Sequence, residues 1–178
     1  MTSQENPSAP PEITLRNFNL SDIDDLMVWA TDDLVSRFCR WDTYTRKEDA
    51  VDYMNNSIIP HPWFKAICVD DRPIGAISVT PNMGSDRCRA ELGYVLGSAH
   101  WGRGIATRAV KMVMSVVFEE LPELERLEAL VDVENPGSQR VLEKAGFVRE
   151  GVLRKYSIQK GKARDLVMFS FLDSDSVI

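Results

Sequence analysis

Apolar and polar residues alternate from 13 to 18, the period of a half-buried β-strand. The period then lengthens. Ile23, Leu26, Met27 and Ala30 share one helical face behind Ser21 and Asp22, residue types that cap helix starts. From 31 to 44 no period holds, and the stretch carries Phe38, Trp41 and Tyr44. Thr45 and Glu48 have the spacing of a capping box, which predicts a second helix to about Asn56. Pro60 and Pro62 lie beyond its end.

The chain then reads as strands. Residues 63–69 and 74–80 flank a turn at Asp70, Asp71, Arg72 and Pro73 and predict a hairpin. A loop at 81–86 leads to a longer strand at 87–96. Ala106, Ala109, Val110, Val113, Val116 and Val117 form the apolar stripe of a helix from about Ile105 to Glu119. Residues 127–133 make another strand. Asn135 and Pro136 open a short helix that faces Val141, Leu142 and Ala145 inward and ends at Gly146. Strands at about 147–156 and 163–172, joined through Lys160, Gly161 and Lys162, close the order. Hairpins plus a crossover helix imply an α/β (α+β) fold: a mixed, mostly antiparallel central sheet with helices on both faces.

The chain has 178 residues, room for one domain. Hydrophobic residues at 44% and charged residues at 27% are globular values, so most of the chain is expected to fold. Residues 1–11 are polar and Pro-rich. They lack the segments of a signal or transit peptide and are expected to be a flexible tail. Residues 12–173 are expected to form the domain and 174–178 a short C-terminal tail. Lys plus Arg number 21 against 27 Asp plus Glu, a net charge of −6. That suits a cationic partner and disfavours nucleic acid. No apolar run approaches ~18 residues, so no membrane span is expected. Cys39, Cys68 and Cys88 have no paired spacing and predict reduced thiols of a cytoplasmic protein. With only His61 and His100 beside them, no metal site is expected.

The chemistry concentrates between Leu92 and Thr107. A long strand runs into a loop holding Gly102 and Gly104, and the loop opens an amphipathic helix. The first N–H groups of a helix lack internal partners and sit at its positive end. Glycines let a ligand approach that backbone closely. Arg103, Arg108 and Lys111 add local positive charge. The combination predicts an anion site suited to a pyrophosphate. An ordinary strand-to-helix turn is the plain alternative. A dinucleotide fold is a rival, but Thr107 stands where its third glycine belongs.

The run Trp101-Gly-Arg-Gly-Ile-Ala-Thr-Arg-Ala109, with Asn135-Pro-Gly-Ser-Gln-Arg-Val-Leu-Glu-Lys-Ala-Gly-Phe147, resembles the GNAT superfamily of acetyl-CoA-dependent N-acetyltransferases. It is most similar to the branch that acetylates ribosomal-protein N-termini. Glu150 to Arg154 and Asp165 continue the likeness, which spans about Ile13 to Leu172. The resemblance implies a sheet splayed between the strands ending at Leu96 and Val133, with acetyl-CoA as co-substrate in the gap. It places the pyrophosphate on Trp101, Gly102, Arg103, Gly104, Ile105, Ala106 and Thr107. It places the pantetheine arm on the backbone of Tyr94, Val95 and Leu96, with Asn135 and Ser138 near the thioester. Many members carry a tyrosine acid where this chain has Leu142, so Ser138 or water is expected to serve instead.

An amine attacks a thioester only when neutral. A lysine amine with pKa ~10.4 loses ~4.6 kcal/mol to that requirement at pH 7, an α-amine near 8 only ~1.4 kcal/mol. A leaving thiol of pKa ~8.5 needs no strong acid. The expected reaction is direct acetyl transfer to a primary amine, a protein or peptide N-terminus first. A polyamine, aminoglycoside or amino acid is the alternative acceptor. A non-catalytic acyl-CoA-binding module and a nicotinamide-dependent oxidoreductase are the rival classes. Glu91 is the candidate base; its plainer reading is a solvent-facing strand residue or an ion pair with Arg87 or Arg89. Tyr156 is a candidate for the amine site. Phe38, Trp41 and Tyr44 are candidates for an acceptor wall or for core. Asp32, Asp33 and Asp42 read most simply as solvated loop charges, or as groups that attract a basic N-terminus or polyamine. Monomer and homodimer both stay open.

Overall fold

The computed structural model describes residues 11–176, so the expected N-terminal tail, Pro11 apart, lies outside the described residues, as do positions 177 and 178. Seven strands form one sheet in the order β1-β2-β3-β4-β5-β7-β6. They are β1 (Thr14–Asn17), β2 (Phe64–Val69), β3 (Arg72–Pro81), β4 (Arg89–Leu96), β5 (Arg126–Asp132), β6 (Val148–Gln159) and β7 (Lys162–Leu172). Every neighbouring pair is antiparallel except β4 with β5. This is the mixed sheet that the pattern predicts.

Both hairpin turns are shorter than the sequence suggests. Asp70 and Asp71, like Lys160 and Gly161, hold positive φ, the two-residue geometry that matches strand twist. Arg72 and Pro73 therefore belong to β3. Pro73 sits where the β2–β3 register shifts, a place at which a strand tolerates a missing N–H.

The helices are α1 (Ile23–Ala30), α2 (Asp33–Ser36), α3 (Lys47–Tyr53), α4 (Ile105–Met114), α5 (Val117–Glu120) and α6 (Pro136–Ala145). Three expectations need correction. The stretch 31–44 is not irregular throughout: Asp32 accepts from the Leu34 N–H at 2.9 Å and caps α2. Thr45 caps nothing, because α3 starts two residues later behind Arg46, and Glu48 faces that arginine at 3.7 Å. The helix expected at 105–119 breaks in two. Ser115 donates its hydroxyl to the Met112 carbonyl and the turn tightens, with the Val116 N–H bonded to Val113. Val116 is left exposed.

Helices α4 and α6 cover one face of the sheet. Ala109, Val110, Val113, Leu142 and Ala145 pack there against Ala90, Leu92, Leu127, Ala129, Phe169 and Phe171. Helices α1 and α3 cover the other face, but only over the first strands, where Leu26, Trp29, Ala50 and Met54 meet Ala66, Cys68 and Ala76. Side chains alternate along β4 and β5. Glu91 and Glu128 therefore lie on the face that α4 and α6 do not cover.

Candidate active site

Pairing between β4 and β5 lasts for three rungs, Arg89 with Arg126, Ala90 with Leu127, and Glu91 with Glu128. Beyond Glu91 the two strands part. β4 stays paired to β3 as far as Leu96, and β5 stays paired to β7 as far as Asp132. Each strand is thus held from its outer side, and a gap opens between them.

The glycine loop stands at the end of β4. Gly102 and Gly104 have φ of 74° and 71°, and a Cβ on either would meet nothing within 4 Å. Gly104 is the residue from which α4 departs. Among the described residues, no acceptor reaches the N–H groups of 103–107. Free donors, a helix start and open space fit a pyrophosphate. Two details differ from expectation. Trp101 donates its indole N–H to the Leu96 carbonyl at 2.8 Å, so that carbonyl, expected to meet the pantetheine arm, is engaged by the loop itself. Arg108 donates to the Pro11 carbonyl at 2.8 Å, which turns it toward the N-terminal segment rather than the loop.

Ser138 lies on the α6 side of the gap. Asn135 caps α6 as predicted, accepting from the Ser138 N–H at 3.1 Å. The Tyr94 phenol reaches from β4 to the same residue, 2.6 Å from Ser138 Oγ and 3.1 Å from its carbonyl oxygen. Burial pushes the Tyr94 phenol well above the ordinary tyrosine range. Leu142, where many family members carry tyrosine, is fully buried in the core.

The opposite side of the gap is charged. Glu91 Oε1 accepts from Arg40 at 2.5 Å, whereas Arg87 bonds Glu123 and Arg89 bonds Glu128. The expected partners of Glu91 were therefore the wrong arginines. Arg126 donates to Glu128 at 2.7 Å and forks onto both oxygens of Glu150 at 2.7 Å. That fork, together with the Ser170 hydroxyl, pulls the Glu150 carboxyl down to about 2. Gly93 lies between Glu91 and Val95 on this face and keeps the floor low.

Trp41 and Tyr44 stack with ring centres 5.6 Å apart. With Leu26, Trp29, Tyr53, Phe64 and Val95 they line a cavity of about 50 Å³. Burial pushes the Tyr44 phenol up to about 12. Phe38 stands apart from this cavity, under the guanidinium of Arg37. Tyr156 is 54% exposed on a bulge of β6, where the Lys155 N–H donates to Asp165 at 2.7 Å. The β6–β7 turn reaches the 31–44 stretch: Lys160 donates to the Ser36 carbonyl at 2.9 Å and lies 3.7 Å from Asp42. The three aspartates are more than solvated charges. Asp32 also accepts from Ser98, Asp33 accepts from Thr43 at 2.6 Å, and Asp42 faces Lys160.

A hollow of about 320 Å³ beside α1 and the β2–β3 turn contains none of the predicted site residues. Among the described residues, no group of His, Cys, Asp or Glu is arranged to hold a metal, and no helix is long and apolar enough to cross a membrane.

Arg40, Glu128 and the Tyr94 side chain escape the sequence reading. Arg40 meets Glu91 across 51 positions, and nothing local announces that contact. Glu128 is legible only once the parallel register is known.

A sheet parted between its parallel strands, with a glycine-lined helix start at one end of the gap and a carboxylate face beside it, is the arrangement that the resemblance to acetyltransferases implies. Residues 12–148 match the family model described as the acetyltransferase (GNAT) domain. The chain belongs to the GNAT family and is an acetyl-CoA-dependent N-acetyltransferase. It is 33% identical to the uncharacterized N-acetyltransferase p20 of Bacillus licheniformis, over 90% of this chain and 92% of that one. It is 30% identical to the Putative ribosomal N-acetyltransferase YdaF of Bacillus subtilis (strain 168), over 76% and 78%. The fold matches spermidine N-acetyltransferase from Vibrio cholerae, solved in complex with CoA and spermine, with TM-score 0.76 and 20% identity over 91% and 96%. The dinucleotide rival falls, because β4 is antiparallel to β3, whereas a doubly wound unit needs parallel strands on both sides.

Proposed function

We propose that the acceptor is the terminal α-amine of a protein or peptide, entering on the face not covered by α4 and α6. The observation that carries this reading is the setting of Glu91. It stands on the last paired rung, at the mouth of the gap and beside an arginine, on an open face. The 50 Å³ cavity that Trp41, Tyr44 and Val95 line is too small to enclose an extended polyamine. An open approach suits a chain end, of which only the first residues enter. The α-amine also needs the least help to become neutral. The relatedness to YdaF supports the same choice.

In this reading Glu91 takes the amine proton, directly or through a water, using Oε2, which accepts no hydrogen bond among the described residues. The N–H groups of 103–107 hold the pyrophosphate and the freed end of β4 receives the pantetheine arm. Ser138 faces the departing sulfur. Trp41, Tyr44 and Tyr156 border the acceptor path, and Lys160 holds the β6–β7 turn against its outer wall.

A polyamine acceptor is the second reading, favoured by the carboxylates of Asp33, Asp42 and Glu91 around the entrance. A mass-spectrometric panel separates the two. Peptides with free N-termini should be acetylated with higher kcat/KM than spermidine, and N-terminally blocked, lysine-containing peptides should not react. Spermidine turnover exceeding every peptide would reverse the choice.

A further inference from the structure

Three carboxylates share the open face of the sheet, and arginine meets each of them differently. Glu128 is held by Arg89 and Arg126, and Glu150 by the Arg126 fork and the Ser170 hydroxyl. Those two arginines stand on β4 and β5. Among the described residues, Glu91 accepts from Arg40 alone, on Oε1, and Arg40 arrives from the stretch between α2 and α3. That stretch is braced: the Tyr44 N–H donates to the Ala30 carbonyl at 3.1 Å, and Trp41 stacks on Tyr44.

An attacking amine must be neutral, and a carboxylate beside it works against that. An opposite charge within about 4–6 Å favours the charged form of a titrating group, whereas a like charge disfavours it. Glu91 by itself would hold the acceptor as an ammonium. A guanidinium on the other oxygen of the same carboxylate acts over a similar distance and offsets that pull. Arginine suits the task, because it keeps its charge at any working pH.

We propose that Arg40 sets the charge of the acceptor: by offsetting Glu91 it lets the amine at Oε2 stand neutral before it attacks. This rests on the role proposed above for Glu91. The ammonium first gives one proton to solvent. The nitrogen lone pair then forms the C–N bond, and the C–S bond breaks with its electron pair left on sulfur. One further N–H proton leaves past Oε2 through water, and sulfur takes one from water.

The other charged groups around Glu91 are already matched. On β4, Arg89 bonds Glu128 and lies 3.2 Å from Asp86; on β5, Arg126 bonds Glu128 and reaches Glu150 on β6. On β3, Thr80 stands opposite Glu91 and lies 3.0 Å from the His61 ring. Burial pushes that ring's pKa down, so it stays neutral from pH 7 upward. Farther out, Lys160 faces Asp42, and Asp33 accepts from Thr43. Among the described residues, Arg40 is the cation placed to answer Glu91.

The test reads kcat against pH in the full chain, with saturating acetyl-CoA and a peptide bearing a free N-terminus. The acidic limb of that profile reports the protonation of the bound amine. Arg40→Ala should move the limb upward by about half a unit to one unit, so kcat falls about threefold to tenfold at pH 7 and returns to within about twofold of wild type near pH 9.5. The 66% exposure of the Arg40 side chain keeps the shift to that size. Recovery at high pH also shows that the variant is folded. Arg40→Lys keeps the charge and should leave the limb in place. A peptide that begins with difluoroalanine has an amine already neutral at pH 7, and Arg40→Ala should cost it less than about twofold. The same limb shift is expected with spermidine, so the choice of acceptor does not decide the test. A loss equal at every pH would make Arg40 a mere brace and overturn the proposal. So would an unmoved limb, an equal shift in Arg40→Lys, or an equal loss with the difluoroalanine peptide. Wild-type rates in Glu91→Gln would overturn the Glu91 role and this inference together, whereas an unmoved limb beside a crippled Glu91→Gln overturns this inference alone.

Discussion

Glu91 and Glu150 are both carboxylates facing arginine on the same face of the sheet, one in each half, and they make different predictions. Glu91 keeps one oxygen free at the mouth of the gap. Glu91→Gln preserves the contact with Arg40 and removes the base. Its kcat/KM should fall by about 10²-fold, within the range of general-base losses. Glu150 is a matter of stability. Its folded-state pKa of about 2 lies below the ordinary glutamate value of 4.5, so the unfolded chain binds more protons between those values. Stability from the Arg126 fork is therefore present above about pH 4.5 and lost as pH falls toward 2. Glu150→Gln should flatten the acid side of a denaturant-stability profile over that window, with little change in its slope above it. Solvent at the partly exposed pair keeps the effect modest.

Local grammar explains the elements well, and the places where it fails are physical. The αL residue Gly146, the Asn135 cap and the glycine loop are all written in adjacent residues, and all three stand where the chain announces them. The break of α4 before α5 was not legible, because Ser115 reads as an ordinary polar position until its hydroxyl is seen on the Met112 carbonyl. The Asp32 cap was hidden by a helix only four residues long. Cross-strand partners such as Arg40 and Glu91 depend on how two faces meet. The loop carries its own test. Gly104 has φ 71° with open space above it, so Gly104→Val strains the backbone by about 1–3 kcal/mol as well as filling the cradle. Asparagine tolerates this conformation better. Gly104→Asn should therefore keep most of the melting temperature while weakening CoA binding at least tenfold by calorimetry. Unchanged affinity would remove the loop from the binding site.

At the scale of the molecule, two regions far apart in sequence meet around the entrance. Lys160 joins the β6–β7 turn to α2 through the Ser36 carbonyl, 124 positions away. Lys160→Ala should release that wall and raise the KM for the acceptor severalfold, with acetyl-CoA affinity unchanged. Its effect on stability should stay below about 1 kcal/mol, the scale of an exposed pair. The short β4–β5 seam has a wider consequence. Strands β1 to β4 and strands β5 to β7 are two half-sheets stitched by three rungs and clamped by α4 and α6. Past the stitch, the molecule carries a sheet edge in its own interior. An extended ligand seated there stands in for an absent eighth strand. Deuterium should therefore enter those amides of 92–96 and 129–132 that point into the gap, not those bonded to β3 or β7, readily in the free protein and slowly once CoA is bound, and the melting point should climb with the logarithm of CoA concentration.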